Sequence, residues 1–202
     1  LKVIGPDDPR GQNEIHANRR LGARPGFPAP RMLFTLPLST SVLAGWEWSE
    51  GADLRHSGRE ALPRAFAELG RFHAAHRLQG PVSSPTSFRT YPTVQAMLEA
   101  ELDMLAMGLS DELRVRCADA FSELRAGFVT TIHGDMHPGN IRVAGEAIQF
   151  VDWGYATESL NLFDLGYVQR RPVPGAWWQI GPGEADAVLE AYFSACGMGG
   201  VD

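Results

Sequence analysis

The chain has 202 residues, 44% of them hydrophobic, and a formal net charge of -6 at pH 7. This length allows one large domain or two modest lobes around a sizeable core, and the acidic balance argues against a nucleic-acid surface and favours cationic or neutral small partners. Cys117 and Cys196 are far apart and form no CxxC motif, so a reducing, cytoplasmic setting is expected. No apolar run approaches the roughly 20 residues of a membrane span and no signal peptide is indicated, so neither insertion nor export is expected.

The first fifty residues predict a small, mostly β unit. Three apolar runs predict strands: Leu1–Ile4, Met32–Leu36 and Ser41–Trp48. Between the first two strands, Gln12–Leu21 can form a helix. We therefore expect residues 1–50 to be one small, β-rich lobe.

From Arg59 onward, the hydrophobic pattern changes to a helical period. One amphipathic face is formed by Leu62, Ala65, Phe66, Leu69, Phe72 and His73. Similar patterns predict further helices at 94–105, 113–124, 165–170 and 184–196. We therefore expect residues 51–202 to form a larger, mainly helical lobe.

A polar loop interrupts this helical region. The strand predicted at Phe128–Ile132 leads into the stretch TIHGDMHPGN, which combines two histidines, an aspartate and an asparagine with glycines and a proline. A hairpin follows, with strands at Ile141–Val143 and Ala147–Val151. The hairpin returns the chain beside the loop and leads directly to Asp152.

The loop and the hairpin bring together oxygen-bearing side chains. Asn140 lies five positions after Asp135, and Asp152 is followed by Gly154, where the backbone can turn tightly. Hard oxygen ligands such as Asn140 and Asp152 suit magnesium better than zinc. Because magnesium usually keeps water and substrate phosphate oxygens as ligands, this pattern indicates a phosphorylated cosubstrate, with Asp135 placed to accept a proton from an acceptor hydroxyl.

These motifs resemble those of a known family. HGDMHPGN resembles the H-G-D-x-x-x-x-N catalytic loop of the aminoglycoside phosphotransferase and choline kinase superfamily, and VDWG is similar to its metal-binding D-x-G. The resemblance covers roughly Lys2 to Arg170 and is most specific from His133 to Gly166. It implies an α+β, protein-kinase-like fold of two lobes, a small β-rich N-terminal one and a larger, mainly helical C-terminal one.

The resemblance also implies roles for individual residues. Asp135 would be the catalytic base, and Asn140 and Asp152 would bind Mg²⁺. Lys2 corresponds to the strand lysine that contacts the nucleotide phosphates, and Glu14 to its ion-pair partner.

Four further residues can be matched in the same way. Glu47 and Trp48 resemble the hinge between the lobes, where backbone groups would receive the adenine of ATP. His133 resembles the residue that braces the catalytic loop, and Asp164 a later aspartate that supports the loop structurally.

The activity implied is transfer of the ATP γ-phosphoryl group to a hydroxyl of a small molecule. Eleven residues, 153–163, separate Asp152 from Asp164, which leaves little room for the activation and peptide-docking segment of a protein kinase. The catalytic apparatus fits aminoglycosides, macrolides, choline, homoserine and sugars equally well. The pattern says nothing about oligomeric state.

Two alternatives remain open at the level of sequence. Because the family has two strands and a phosphate-covering loop before its strand lysine, a sequence that starts at Leu1 is expected to have a truncated small lobe, and an inactive kinase-like binding protein is one outcome. His133, Asp135 and His137 could instead be zinc ligands of a hydrolase. His73 and His76 also have a spacing open to metal ligation, although packing or surface roles are favoured on an amphipathic helix.

Overall fold

The fold is described from a computed structural model of the chain. The residues described are 1–23, 26–84, 89–106, 110–112, 115, 127–166, 168, 180 and 182–198. Among them, no helix combines the length and apolar character needed to cross a membrane.

The N-terminal part is a three-stranded antiparallel sheet with one helix packed against it. Its elements are β1 (Lys2–Ile4), α1 (Pro9–Leu21), β2 (Met32–Pro37) and β3 (Val42–Trp46). The strand order is β1-β3-β2, and Lys2 is opposite Ala44. The predicted strands and helix are confirmed, although α1 begins three residues earlier than expected and β3 ends at Trp46.

Helix α1 begins early because Asp8 caps it. The Asp8 carboxylate accepts a hydrogen bond from the Gly11 amide at 2.9 Å, and Pro9 takes the first helical position, where its missing N–H has no cost. Ile15 of this helix packs with Ile4 and Ala44 of the sheet in a small separate core. This core fixes α1 against the strand that carries Lys2.

Beyond residue 50 the chain is richer in helix. The larger elements are α2 (Ala61–Ala75), α3 (Val94–Ala106) and α4 (Pro182–Ala195). The short strands are β4 (Ala52–Asp53), β5 (Val82–Ser83), β6 (Thr90–Tyr91), β7 (Val129–Ile132), β8 (Ile141–Ala144), β9 (Ala147–Phe150) and β10 (Thr157–Leu160). The predicted boundary between 1–50 and 51–202 falls between β3 and β4, and this division stays a prediction.

Two of the small sheets border the loop between β7 and β8. Strand β8 pairs with β9 in the predicted hairpin and with β4 on its other edge, while β7 pairs with β10. The remaining sheet joins β5 to β6. Strand β10 was not expected from the sequence, and it gives β7 an antiparallel partner.

The main core lies where α2 packs against α4. Its large buried side chains include Phe66, Phe72, Met136, Phe150, Trp153 and Tyr192. A Cβ at Gly70 would lie 2.6 Å from the Tyr192 carbonyl oxygen, so the two helices approach closely at this glycine. Because Met136 and Trp153 belong to this core, the polar segments around them are anchored on rigid helices.

Two helical predictions have a different outcome. Instead of a helix beginning at Leu165, the structure has a 3-10 helix at Asn161–Leu165 that ends at Gly166. Residues 167, 169 and 170 of the predicted 165–170 helix, and nearly all of the helix predicted at 113–124, lie outside the described residues.

Candidate active site

The loop between β7 and β8 turns sharply at Gly134. This glycine has φ of +80°, and a Cβ there would lie 2.5 Å from the Tyr155 carbonyl oxygen. A side chain at this position would therefore be strained and would also collide with the neighbouring segment. The turn places Asp135 three residues beyond Ile132, the last residue of strand β7.

The Asp164 side chain fixes the start of the loop through hydrogen bonds to its backbone. Its carboxylate accepts hydrogen bonds from the backbone amides of His133 at 2.7 Å and Gly134 at 2.8 Å, and from His73 Nε2 at 3.2 Å. Burial raises the pKa of the Asp164 carboxyl, but the hydrogen bond from His73 and the other donors outweigh burial and leave it below its ordinary value. Asp164 is therefore an ionised, buried acceptor.

His133 is fully buried and both of its ring nitrogens are engaged. Nε2 donates to the Val151 carbonyl at 2.9 Å, and Nδ1 accepts from the Asp135 amide at 3.3 Å. Burial lowers the pKa of His133, so the ring is neutral. This imidazole links the loop to the segment that carries Asp152 and has no free nitrogen to offer a zinc ion.

Asp135 and Asn140 meet across the loop. The Asn140 amide nitrogen donates to the Asp135 backbone carbonyl at 2.9 Å and lies 3.4 Å from the carboxylate oxygen Oδ2. His137 Nε2 is 3.8 Å from the same carboxylate oxygen. With its nitrogen turned toward Asp135, Asn140 keeps its amide oxygen as the atom suited to a cation.

Asp152 follows β9 in a left-handed backbone conformation, with φ of 64°. Left-handed backbone is uncommon for a residue other than glycine and is a frequent feature of functional sites. The Val151 amide donates to the Asn140 carbonyl at 2.9 Å, which fixes this segment beside the loop. The two predicted metal ligands are thus joined through neighbouring backbone groups.

Lys2 and Glu14 form the predicted ion pair. Lys2 Nζ lies 2.6 Å from Glu14 Oε2 and 3.5 Å from Asp152 Oδ1. Burial raises the pKa of Glu14, and the hydrogen bond from Lys2 opposes this effect only in part. The lysine ammonium therefore stands between a buried carboxyl on α1 and the carboxylate after β9.

Most of the predicted site residues line one cavity of about 380 Å³. Its lining includes Lys2, Glu14, Glu47, Trp48, Asn140 and Asp152. Asp135 is outside this lining and is joined to it through Asn140, while the buried side chains of His133 and Asp164 support the loop from below. The sequence prediction thus named residues that surround one cavity, although they come from distant parts of the chain.

Glu47 and Trp48, the residues predicted to form the hinge, differ in their contacts at the cavity. The Glu47 amide donates to the Arg31 carbonyl at 2.9 Å, so this amide belongs to the small sheet and cannot serve a nucleotide base. The Glu47 carboxylate pairs with Arg31 at 2.7 Å, and the Trp48 side chain is 89% exposed. A contact from this segment to adenine would have to use other backbone groups or the face of Trp48.

The donor set fits magnesium better than zinc. Asn140 and Asp152 offer hard oxygen atoms to one cavity, and Mg²⁺ commonly takes one or two such protein ligands. Across the described ranges, no group of three or more His, Cys, Asp and Glu side chains is placed to hold a metal ion. His73 and His76 are both buried, and each hydrogen-bonds within the protein.

Three supporting residues were missed from the sequence. His73 donates to Asp164 and accepts from the Tyr192 hydroxyl at 2.7 Å, which ties the loop to α4. Arg10, in the first turn of α1, lies 3.6 Å from Asp152 Oδ2. The helix-start signal around Asp8 and Pro9 could have placed Arg10 at a helix terminus, but no local signal indicates contacts across such separations in the chain.

Comparisons with known proteins give a consistent result. No curated protein matches the sequence. Among solved structures, the crystal structure of aminoglycoside-3'-phosphotransferase of type VIII is similar, with a TM-score of 0.57 and 20% identity over 100% of this chain and 78% of that one. This likeness shows the protein-kinase-like fold. The phosphotransferase enzyme family, APH, matches residues 1–200. The chain therefore belongs to the APH phosphotransferase family.

Proposed function

We propose that this chain transfers the γ-phosphoryl group of ATP to a hydroxyl of a small molecule, with Mg²⁺ as the metal. The observation that carries the proposal is the single cavity lined by the Lys2–Glu14 pair, the hinge segment and the oxygen ligands Asn140 and Asp152. A phosphoryl-transfer site that uses ATP needs a cation for the phosphates, ligands for the metal and a place for the adenine ring. This cavity offers all three.

Each residue has a defined task in this proposal. Lys2 holds the phosphates, and Asn140 and Asp152 hold Mg²⁺, which neutralises charge on the transferred group when it is bound. Asp135 accepts the proton of the acceptor hydroxyl while the acceptor oxygen bonds to phosphorus and the bond to the ADP oxygen breaks. Asp164 and His133 keep the loop in position through backbone hydrogen bonds.

The acceptor is proposed to be a small molecule rather than a protein. The segment between Asp152 and Asp164 is filled by the 3-10 helix Trp153–Tyr155, strand β10 and the start of the 3-10 helix Asn161–Leu165. These elements are packed and paired, so they leave no long docking segment for a peptide. A cytoplasmic location is part of the same proposal, because ATP is the donor.

An acceptor screen tests the proposal. The chain is incubated with MgATP and a panel of aminoglycosides, macrolides, choline, homoserine and sugars, and formation of the phosphorylated product is measured. With the productive acceptor, Asp135→Asn should lower turnover by at least about 100-fold, because removing a general base typically costs that much.

Two controls make the screen specific. Asp103→Asn removes an exposed carboxylate from α3 and should leave turnover unchanged. Asp135→Asn should keep the rise in melting temperature that MgATP produces. Full turnover in Asp135→Asn would contradict the role of Asp135, and nucleotide binding without turnover on any acceptor would favour a kinase-like binding protein.

A further inference from the structure

Arg10 and Lys2 each form an ion pair with a different oxygen of the Asp152 carboxylate. Arg10 Nη2 lies 3.6 Å from Oδ2, and Lys2 Nζ lies 3.5 Å from Oδ1. The Arg10 side chain is 48% exposed, so its guanidinium can still meet a ligand. Two cations therefore border the carboxylate, and the proposed function uses one of them.

The surroundings of Arg10 hold it in place. Its guanidinium lies 4.1 Å from the centre of the Tyr155 ring, a stacking geometry that favours a cation. A Cβ at Gly154 would lie 3.2 Å from the Arg10 carbonyl oxygen, so helix α1 sits directly on the Trp153–Tyr155 turn. Asn13 strengthens this contact by donating to the carbonyls of Gly154 at 3.0 Å and Ala156 at 2.9 Å.

A second cavity of about 380 Å³ lies at Arg10. Lys2, Glu14 and Asp152 line both this cavity and the one that reaches the hinge, whereas Arg10 lines the second. A nucleotide with its base at the hinge and its phosphates at Lys2 and Asp152 would thus extend toward Arg10 with its last phosphate. The arrangement of the two cavities orders the cations along the phosphate chain.

The acidic residues of the second cavity are already engaged. The Asp8 carboxylate accepts from the Gly11 amide at 2.9 Å as the cap of α1, and Glu14 pairs with Lys2 at 2.6 Å. If Mg²⁺ binds the Asp152 carboxylate, as in the proposed function, the Arg10 guanidinium loses this partner and is left to face the incoming phosphate. Guanidinium groups bind phosphate oxygens with two parallel hydrogen bonds, which gives both charge and direction.

We propose that Arg10 is a second phosphate-binding residue, which contacts the terminal phosphate of the bound nucleoside triphosphate while Lys2 contacts the inner phosphates. This inference rests on the proposed function. It makes one distinctive claim, that Arg10 distinguishes ATP from ADP. A merely structural role for Arg10 would affect the two nucleotides equally.

The test compares the affinities of MgATP and MgADP. Binding is followed by tryptophan fluorescence, since Trp46, Trp48 and Trp153 line the hinge-side cavity. Arg10→Gln should lower the affinity for MgATP by about tenfold or more, as expected for loss of a charge-assisted hydrogen bond. The affinity for MgADP should stay nearly unchanged. Arg10→Lys should recover part of the loss, and Lys2→Gln should weaken both nucleotides.

Arg19→Gln is the matched control. Arg19 is on the same helix, is exposed, and donates to Thr35 at 2.6 Å on the side of the sheet, so its loss should not change either affinity. Equal weakening of both nucleotides by Arg10→Gln, or no weakening of either, would overturn the role of Arg10 while leaving the proposed function intact. Failure of the wild-type chain to bind either nucleotide would instead overturn the proposed function, and this inference with it.

Discussion

Asp53 is the centre of a hydrogen-bonded cluster near the loop between β7 and β8. Its carboxylate accepts from Arg55 Nη2 at 2.6 Å, from the Arg55 amide at 3.1 Å and from His56 Nδ1 at 2.9 Å. The next residue, Leu54, donates its amide to the Ile141 carbonyl at 2.9 Å and lies 3.2 Å from that of Pro138. Asp53 therefore stabilises a segment that is bonded directly to the end of the loop between β7 and β8.

This cluster gives stability a specific pH dependence. The hydrogen bonds from Arg55 lower the pKa of Asp53 from 3.8 to about 2. A carboxyl with a depressed folded-state pKa contributes stability above its unfolded pKa, and the contribution is lost as pH falls through the folded value. Asp53→Asn, which cannot ionise, should therefore be less stable than wild type near neutral pH, and the gap should narrow as pH falls from about 4 toward 2.

Urea unfolding of both proteins at several pH values measures that gap. The difference between the two free energies of unfolding isolates Asp53 from the other carboxyl groups, which titrate in both proteins. A gap that stays constant across the acid range would show that ionisation of Asp53 contributes nothing to stability.

At the scale of residues, the sequence predicts what lies within short motifs. Roles could be predicted for Asp135, Asn140 and Asp152 because the pattern depends on fixed spacing along one loop and one hairpin. Arg10 and His73 were not, because their partners Asp152 and Asp164 are 142 and 91 positions away. Contacts of that kind depend on how helices dock, which a hydrophobic pattern does not specify.

At the scale of elements, the loop between β7 and β8 is held by a chain of hydrogen bonds through three helical segments. Asp164 of the 3-10 helix Asn161–Leu165 bonds the loop amides, His73 of α2 bonds Asp164, and Tyr192 of α4 bonds His73. The Tyr192 hydroxyl also accepts from Asn161 at 2.8 Å. Every member of this chain of hydrogen bonds is buried. If one element moved, a buried polar group would lose its hydrogen-bond partner, so a displacement of one element is expected to shift the loop as well.

The turn at Gly134 offers a test of this arrangement. In Gly134→Ala the added methyl would lie 2.5 Å from the Tyr155 carbonyl oxygen. The loop would have to move away from Asp164, so we expect the variant to be less stable and to turn over more slowly. Gly145→Ala is the matched control, since Gly145 also has positive φ, +57°, but meets nothing within 4 Å. It should cost about 1 kcal/mol, the typical penalty for left-handed backbone.

Unfolding free energies and turnover of both variants check this prediction. We expect Gly134→Ala to lose clearly more stability than Gly145→Ala and to be the only one of the two that loses activity. Equal losses would show that backbone conformation alone explains the effect, without a close approach of the loop to Tyr155.

The elements differ in how visible they were in the sequence. The β8–β9 hairpin and helices α2 and α4 follow from alternation and helical periodicity. Strand β10, with the sequence TESL, has no such alternation, and it is a strand because it pairs with β7 from Thr157↔Ile132 to Leu160↔Val129. Tertiary pairing overrides a weak local signal there.

At the scale of the whole molecule, a cavity of about 380 Å³ lies where the small sheet meets the larger helical part. The N-terminal part supplies Lys2 and the proposed hinge residues Glu47 and Trp48, and the larger part supplies Asn140 and Asp152. Among the described residues that line the cavity, the proposed phosphate-binding cation, Lys2, comes from the small part, and the proposed metal ligands come from the larger part. Nucleotide binding should therefore stabilise the folded chain as a unit.

The melting temperature with and without MgATP is the most direct measurement of this central claim. A ligand at about a hundred times its Kd stabilises a protein by about 2.7 kcal/mol, which for a chain of this length raises Tm by roughly 5 to 10 °C. We predict such a rise for the wild-type chain and a much smaller one for Asp152→Ala. No rise in the wild-type chain, or an equal rise in both proteins, would contradict a nucleotide site built on Asp152.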